Sequence, residues 1–282
     1  MPTFDTPGPI SVTINLGAGD ARIRASDRSD TVVQVRPTDS ASDDDVRAAD
    51  ETRVEYADGS LLVKAPRLWR RFSPFSEGGS VDVAIELPAG SRLQGDTAMA
   101  ALRCEGRLGD CRFKTAAGDL QFAQTGELNL STAAGDIRVD RAAGRTDITT
   151  ASGEVRVREI DGSAVIKNSN GDIWIGEVTG DLRSSAANGD ITVGQAHATA
   201  TAKTANGNVR IGEVTRGSVL LETAFGDVEI GIREGTAARL DVRTHYGAVR
   251  NDMDASEGPG PSGETAEVRA RTGFGDILIH RA

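Results

Sequence analysis

The sequence predicts an all-β protein, a parallel β-solenoid with two short strands in each coil of about 18 residues. Three observations lead to this prediction. Glycine recurs almost every nine residues, apolar and polar residues alternate after the glycines, and every second glycine precedes an acidic residue or asparagine. A nine-residue unit has room for one short strand and one tight corner, so two units make one coil.

The glycine series begins at residue 109 and is broken once, by Ala198. Its members are Gly109, Gly118, Gly126, Gly135, Gly144, Gly153, Gly162, Gly171, Gly180, Gly189, Gly207, Gly217, Gly226 and Gly235. At the acidic corners the next residues are an acid or asparagine and then Ile, Val or Leu, as in Gly171, Asp172 and Ile173. Turn residues therefore lead into a strand at each acidic corner.

Residues two and four places after the acidic-corner glycines are apolar, and a period of two places them on one face. These pairs are Ile137 and Val139, Val155 and Val157, Ile173 and Ile175, Ile191 and Val193, Val209 and Ile211, Val228 and Ile230, and Ile277 and Ile279. Three places before the glycines stands a second column: Thr115, Thr132, Thr150, Asn168, Ala186, Thr204, Thr223, Thr244 and Thr272. Such short coils cannot bury an apolar face alone, so neighbouring coils must stack, and we expect right-handed coils.

Residues 1–90 are predicted to form an irregular N-terminal β portion, or cap, that is continuous with the solenoid of residues 91–282. Apolar alternation precedes a glycine in residues 12–19 and again in residues 83–90, with the spacing of the repeats. The N-terminal portion therefore carries an echo of the same unit.

Two local elements are predicted within this portion. Ser42 precedes three aspartates and then residues 46–50, which predicts a short capped helix. Residues 54–63 alternate around Asp58 and Gly59, which predicts a hairpin.

Two insertions lengthen the late coils, at residues 233–238 and 251–264. Both follow an acidic-corner strand, so we expect them to protrude from the same edge of the solenoid. The second insertion is rich in acidic residues, Pro and Gly and is predicted to be a mobile loop.

The composition argues against several functions. The net charge of −10 disfavours a general nucleic-acid binder. Aromatic residues make up 4% of the 282 residues, which is few for a platform that stacks sugars. The first ten residues show no signal peptide, and no run is long enough for a membrane span. We therefore expect a cytoplasmic protein, with export by an unrecognised route as the alternative.

The acidic corners are the most tempting metal site. Parallel stacking brings like charges within about 5 Å of one another, and calcium between coils would relieve the repulsion in a G-G-x-G-x-D repeat. The chain lacks that motif. We predict instead that each carboxylate caps its own turn, helped by Arg138, Arg156 and Arg210, and that no metal is bound.

Candidate catalytic residues are few. His197, His245 and His280 are the only histidines, and none lies in a recognisable motif. Cys104 and Cys111 are predicted to be buried thiols, because a disulfide is disfavoured in a reducing compartment. No Walker loop, dinucleotide fingerprint or zinc spacing is present. The sequence predicts no catalytic residue, no cofactor and no enzyme activity.

Residues 66–79 interrupt the strand pattern and concentrate basic and aromatic side chains in an acidic chain. Arg and Trp are favoured at the energetic centres of interfaces. The segment is either a binding loop or a cap over the open solenoid. Its candidate partner-binding residues are Arg67, Trp69, Arg70, Arg71, Phe72 and Phe75.

One pattern recurs in S-N-G-D-I-W-I-G-E-V-T-G-D-L-R at 169–183, A-N-G-D-I-T-V-G at 187–194 and A-N-G-N-V-R-I-G-E-V at 205–214. Together with F-D-T-P-G-P-I-S-V at 4–12 and E-L-P-A-G at 86–90, these segments resemble the bacterial putative-adhesin family of β-strand-repeat proteins, a domain of unknown function. The resemblance spans nearly the whole chain and implies a parallel β-solenoid. It defines no catalytic residues that could be carried over.

Three functions remain, in order of preference. The first is a non-enzymatic interaction or scaffold protein with an unknown protein partner, and self-association through the solenoid ends stays open. The second is an adhesin-like surface-binding protein. The third is a carbohydrate-active β-helix enzyme, which would need carboxylates grouped on a strand face, whereas the acidic column here lies at corners.

Overall fold

The computed structural model describes residues 1–66, 79–253 and 263–282. These residues are mostly β-strand and contain a single α-helix. The chain forms two compact units, Met1–Arg138 and Val139–Ala282. Within each unit most of the strand pairs are parallel, as the sequence predicts.

The elements of the first unit are β1 (Thr3–Asp5), β2 (Ser11–Ser26), β3 (Asp30–Pro37), α1 (Asp43–Glu51), β4 (Arg53–Ala57), β5 (Ser60–Lys64), β6 (Val81–Pro88), β7 (Arg92–Arg107), β8 (Cys111–Ala117), β9 (Leu120–Thr125) and β10 (Leu128–Ala134). The strand β11 (Ile137–Ala143) crosses the boundary between the units. The elements of the second unit are β12 (Thr146–Ser152), β13 (Val155–Asp161), β14 (Ala164–Asn170), β15 (Ile173–Val178), β16 (Leu182–Asn188), β17 (Ile191–Ala196), β18 (Ala200–Asn206), β19 (Val209–Val214), β20 (Gly217–Phe225), β21 (Val228–Ile232), β22 (Ala237–Tyr246), β23 (Val249–Asn251), β24 (Thr265–Phe274) and β25 (Ile277–Arg281).

Coils of two strands stack in parallel in the second unit. β13 pairs with β15, with Val155 opposite Ile173, and β15 pairs with β17, with Ile173 opposite Ile191. These inward residues are fully buried. Trp174 points outward, and the guanidinium of Arg156 lies 5.2 Å from the centre of its ring. The predicted parallel β-solenoid with two strands per coil is confirmed, and the hand of its coils stays a prediction.

In the later coils the recurring threonines bond to the corner glycine of a neighbouring coil. Thr204 Oγ1 donates a hydrogen bond to the carbonyl oxygen of Gly189 at 3.1 Å. Asn168 holds the same position in an earlier coil, and its Nδ2 donates to the carbonyls of Gly153 and Gly171, both at 2.8 Å. A short polar side chain is useful here because a carbonyl that is partly shielded from water needs a donor.

The start of the first unit is less regular. β2 turns a corner at Gly19, so its first half pairs with β5 and its second half with β6, while β7 pairs with both halves. Ser42 Oγ accepts the backbone N–H of Asp45 at 3.3 Å and caps α1. β4 and β5 form an antiparallel hairpin that turns at Asp58 and Gly59, whose φ angles are 49° and 74°. The predicted capped helix and hairpin are both confirmed.

The last coils do not stack in the order of the chain. β24 pairs on one side with β20, where Thr272 lies opposite Thr223, and on the other side with β22, where Thr272 lies opposite Thr244. β25 lies between β21 and β23 in the same way. The coil formed by β24 and β25 is therefore inserted between two coils that precede it in the chain. We call the coil formed by β22 and β23 the outer coil.

This order gives the two late insertions a structural role. Residues 233–236 connect β21 to β22. Because the coil of β24 and β25 lies between these two strands, the connection spans two coil spacings, about 10 Å, whereas a connection between adjacent coils spans about 5 Å. Residues 252–264 then return it to β24, and residues 254–262 lie outside the described part of the chain. The expectation that coils adjacent in the chain stack on each other is therefore wrong for the last coils. The coils of β20, β22 and β24 present similar inward side chains, so they can stack in either order.

Candidate interaction surface

Three aromatic side chains form a ladder on the outside of the last coils. Phe225, Phe274 and Tyr246 share one register position on β20, β24 and β22. The ring centroids of Phe225 and Phe274 are 5.0 Å apart, and those of Phe274 and Tyr246 are 4.7 Å apart, with planes inclined by only 4° and 8°. The exposed fractions of the three residues are 54%, 49% and 67%. We call these three residues the aromatic ladder.

The aromatic ladder continues a column of exposed residues that stand directly before the corner glycines. In the three preceding coils this position is asparagine, and Asn206 donates to Asn188 while Asn188 donates to Asn170, both at 2.8 Å. Asn206 lies opposite Phe225 in the pair of β18 and β20. Parallel stacking brings equivalent side chains within ladder distance, so one column changes from hydrogen-bonded amides to stacked rings.

The stacking decides which part of each ring faces the solvent. Phe274 has a ring on both of its faces, so its exposed part is mainly the ring edge. Ring edges carry the positive side of the aromatic quadrupole and pack against apolar side chains or other ring faces. A sugar platform needs open ring faces instead. At Phe274 the geometry therefore favours contact with a protein side chain over stacking with a sugar ring.

Charged residues flank the aromatic ladder along its strands. Glu222 lies 2.6 Å from Lys203 Nζ and 3.9 Å from Arg271. On the outer coil, Arg243 lies 3.4 Å from Asp241. Exposed pairs of this kind add little stability. They do provide a charged rim beside an apolar centre, which is the usual arrangement of a protein interface.

Carboxylates at the acidic corners accept backbone N–H groups of the next coil and not of their own turn, as Asp172 and Asp190 show, which corrects the prediction from the sequence. Asp172 Oδ1 accepts the backbone N–H of Asp190 in the next coil at 2.9 Å, and Asp190 Oδ1 accepts that of Asn208 at 2.7 Å. The reason is geometric, since parallel stacking places the next corner's N–H beside each carboxylate. These charge-assisted bonds link neighbouring corners and offset the repulsion between stacked acids.

The three arginines that were predicted to neutralise the acidic corners play two different roles in the structure. Arg138 lies 2.9 Å from Asp136, and Arg156 lies 2.8 Å from Glu154, so both neutralise a corner acid. Arg210 instead lies 3.3 Å from Glu229, on the outer face of the next coil. Among the described residues, no group of three or more His, Cys, Asp or Glu side chains could hold a metal ion.

Two histidines join neighbouring coils. His197 Nε2 lies 2.9 Å from Glu177, and its Nδ1 lies 3.2 Å from the hydroxyl of Thr215. His280 Nε2 lies 3.3 Å from Glu229. His245 is exposed on the outer coil, directly before the last member of the aromatic ladder. The contacts of His197 and His280 are those of side chains that hold coils together.

Both cysteines are free thiols within the core of the first unit. Burial raises the pKa of the Cys111 thiol to about 12 and raises the pKa of Cys104 well above its ordinary value. Reactive cysteines have a lowered pKa and solvent access, so neither thiol is suited to nucleophilic chemistry in the folded protein.

The first unit carries an open groove of about 420 Å³ on the outer face of its strands. Arg22 and Arg103 line it together with Asp20 and Asp82. Asp82 Oδ1 is already engaged, since it accepts the N–H of Asp20 at 3.2 Å and the hydroxyl of Thr38 at 3.0 Å. Because positively and negatively charged side chains line the groove together, it favours neither an anionic nor a cationic ligand.

The predicted partner-binding residues Arg67, Trp69, Arg70, Arg71, Phe72 and Phe75 all lie outside the described residues. The structure instead brings together three aromatic residues that sequence reasoning missed. The available signal was that Phe225, Phe274 and Tyr246 each stand immediately before an acidic-corner or equivalent glycine, where earlier coils have small or amide residues.

Comparison with known proteins identifies the family. The model of the family described as Toastrack DUF4097 matches residues 11–279. The chain belongs to the Toastrack family. The match covers nearly all of the described coils of both units, so the resemblance to bacterial putative adhesins is confirmed at the level of family and fold. No curated protein matches the chain.

Several solved structures resemble this Toastrack chain. A putative adhesin from Bacteroides fragilis is 13% identical with a TM-score of 0.41, and 99% of this chain and 96% of that one are covered. A putative adhesin from Parabacteroides distasonis is 14% identical with a TM-score of 0.42, covering 100% and 95%. A putative lipid binding protein from the same species is 11% identical with a TM-score of 0.42, covering 99% and 95%. Likeness at this level carries no argument about function.

The described residues contain no helix with the length and apolar character that crossing a bilayer requires.

Proposed function

We propose that this Toastrack chain is a non-enzymatic interaction or scaffold protein and that the aromatic ladder is its partner-binding surface. The observation that carries this proposal is the exposure of Phe225, Phe274 and Tyr246 in one contiguous stack. Contiguous exposed apolar side chains on a soluble protein commonly mark an interaction site. Aromatic residues are also enriched among the residues that dominate binding energy.

The fold itself does not require aromatic residues in this column. Asn170, Asn188 and Asn206 hold the same position in earlier coils, and those coils are built in the same register. Amides in a ladder satisfy one another and leave a solvated surface, whereas the rings leave apolar edges exposed to water. The change from amide to ring therefore supports a role in binding.

A protein partner is the occupant that fits this surface. The exposed ring edges suit apolar and aromatic side chains, and the rim from Glu222 to Arg271 carries both charges. We place the interaction in the cytoplasm. The free thiols of Cys104 and Cys111 support a reducing compartment, although an exported adhesin-like protein is the alternative that fractionation tests.

The test replaces the aromatic ladder by the residue that its own column uses elsewhere. The triple variant Phe225→Asn, Phe274→Asn and Tyr246→Asn extends the asparagine ladder and should keep the melting temperature within a few degrees of wild type. Affinity capture from the native cell, followed by measurement of the affinity for the captured protein, should show at least a tenfold loss of binding for this variant.

A matched control alters the polar half of the same column. Asn170→Ala with Asn188→Ala should leave the affinity for the partner unchanged. Equal affinity of the ladder variant and wild type would overturn the proposal. If only Trp69→Ala with Arg70→Ala abolished binding, the binding loop predicted from the sequence would be the correct surface instead. Protease accessibility of the protein on intact cells would favour the adhesin-like alternative.

A further inference from the structure

The outer coil has one open edge among the described residues. β22 pairs with β24 and β23 pairs with β25, and no described strand pairs with their other sides. The consequence is visible in burial. Leu240 and Val242 point inward but are only half-buried, whereas Val268 and Ala270, which lie opposite them on β24, are fully buried. Val249 on β23 is 44% exposed.

An open edge of this length is unusual for a stable monomer. β22 is ten residues long and extended, and within the described part of the chain no strand pairs with the backbone groups on its outward side. Natural edges are usually blunted by Pro, by charged side chains such as Lys, by a bulge, by a covering loop or by a very short strand. β22 contains neither Pro nor Lys, and its charged residues Arg239, Asp241 and Arg243 alternate in sign. The outward edge of β22 therefore has the features of an edge that pairs with a further strand.

We propose that the outer coil binds the outer coil of a second copy of this chain, through antiparallel pairing of β22 with its equivalent. This proposal stands on the edge of β22 and does not depend on the aromatic ladder. A two-fold pair is self-complementary, and antiparallel pairing of one strand with itself satisfies that symmetry. Half-buried Leu240 and Val242 of the two copies would then cover each other.

The charge pattern of β22 fits a second copy. Arg239, Asp241 and Arg243 alternate in charge along its outer face, where the two arginines are exposed and Asp241 is partly exposed. In a two-fold pair centred on Val242, Asp241 of each copy lies opposite Arg243 of the other. In a pair centred on Leu240, Asp241 lies opposite Arg239 of the other copy. Both registers create two reciprocal ion pairs, and directly opposed opposite charges stabilise antiparallel strands.

Sedimentation velocity on the full chain tests the proposal through charge. Wild type should show a reversible monomer–dimer equilibrium as its concentration rises from about 1 µM to about 300 µM, as expected for a small interface. Asp241→Arg leaves three positive charges in a row, and Arg239→Asp with Arg243→Asp leaves three negative charges. Each variant alone should dimerise at least tenfold more weakly than wild type.

An equal mixture of the two variants should restore dimerisation to about the wild-type level, which misfolded proteins could not do. Asp147→Arg, a charge reversal on the outer face of β12, is the matched control and should dimerise like wild type. A wild type that stays monomeric throughout, or a mixture that fails to restore the dimer, would overturn the proposal. So would a monomer that dimerises only after residues 254–262 are deleted, because the chain's own segment would then be the occupant.

Discussion

Replacing Gly189 by alanine adds one methyl group at a corner where the stacked coils leave no room for it. Gly189 has a φ of 135°, and a Cβ there would overlap the carbonyl oxygen of Gly171 in the preceding coil. On the opposite side, the N–H of Gly189 donates to the carbonyl of Asn206 in the following coil at 2.9 Å. The corner cannot move away from one neighbouring coil without straining its contact with the other.

The expected magnitude follows from two separate terms. An L-residue in this backbone region costs about 1–3 kcal/mol. Relieving the overlap also strains the bond from Gly189 to Asn206 and that from Asp190 to Asp172, each worth about 1 kcal/mol. Gly189→Ala should therefore reduce the free energy of unfolding by about 3–5 kcal/mol. Gly59→Ala is the matched control, because Gly59 has a φ of 74° with no atom near the added Cβ, and it should cost only about 1–2 kcal/mol.

Urea titration of the full chain, followed by circular dichroism, measures both losses. Hydrogen exchange on peptides that cover each substitution reports local opening and assigns the loss to the correct unit. A Gly189→Ala variant within about 1 kcal/mol of Gly59→Ala, which is near the uncertainty of extrapolated unfolding energies, would refute the close approach of the corner glycines.

Three further predictions concern burial and charge. Ile173→Asp should lower the free energy of unfolding by several kcal/mol, because it buries an unpaired carboxylate between coils. Trp174→Asp, on the outer face, should lower it far less. Thermal melting of Ile173→Asp like that of wild type would contradict the inward position of Ile173. The Cys111 thiol, whose pKa burial raises to about 12, should react with a thiol reagent only as the protein unfolds, and rapid labelling of the native protein would contradict its burial. The N–H of Ser80 donates to Asp45 and lowers the pKa of that carboxyl below its ordinary value. The hydrogen bond therefore stabilises the fold fully above the unfolded pKa of about 3.9, and this stabilisation disappears as the pH falls through the folded pKa. Asp45→Asn should flatten the acid limb of the stability curve, and an acid limb identical to wild type would show that Asp45 does not contribute.

Much of the local structure could be predicted because it depends on residues close together in the chain. The alternation around Ile173 predicts a buried face, and the structure buries that residue between its neighbours in the stack. Ser42 predicts a helix N-terminus because its side chain can cap only the turn that follows it. The columns of asparagine and threonine could also be predicted, because residues 18 positions apart lie opposite each other on paired strands of neighbouring coils, as Asn188 and Asn206 do.

Sequence reasoning missed the candidate site because it joins residues that are far apart in the sequence. Phe225 and Phe274 are separated by 49 positions, and Tyr246 lies between them in the chain but at the end of the ladder in space. Composition suggested too few aromatic residues for a stacking surface. Stacking concentrates three of them in one column, which an average over the chain cannot reveal.

The sequence by itself determined the coil: its length, the residues that face inward, and the glycines and short polar residues of its corners. Those properties follow from the period of two along a strand and from turn chemistry, both of which act over a few residues. Tertiary structure alone decided the order of the last coils and the acceptor role of the corner carboxylates toward the next coil. The coils of β20, β22 and β24 present similar inward columns, so local pattern accepts either order. The connection at residues 252–264 is long enough to allow both, because closing a longer loop adds little entropic cost.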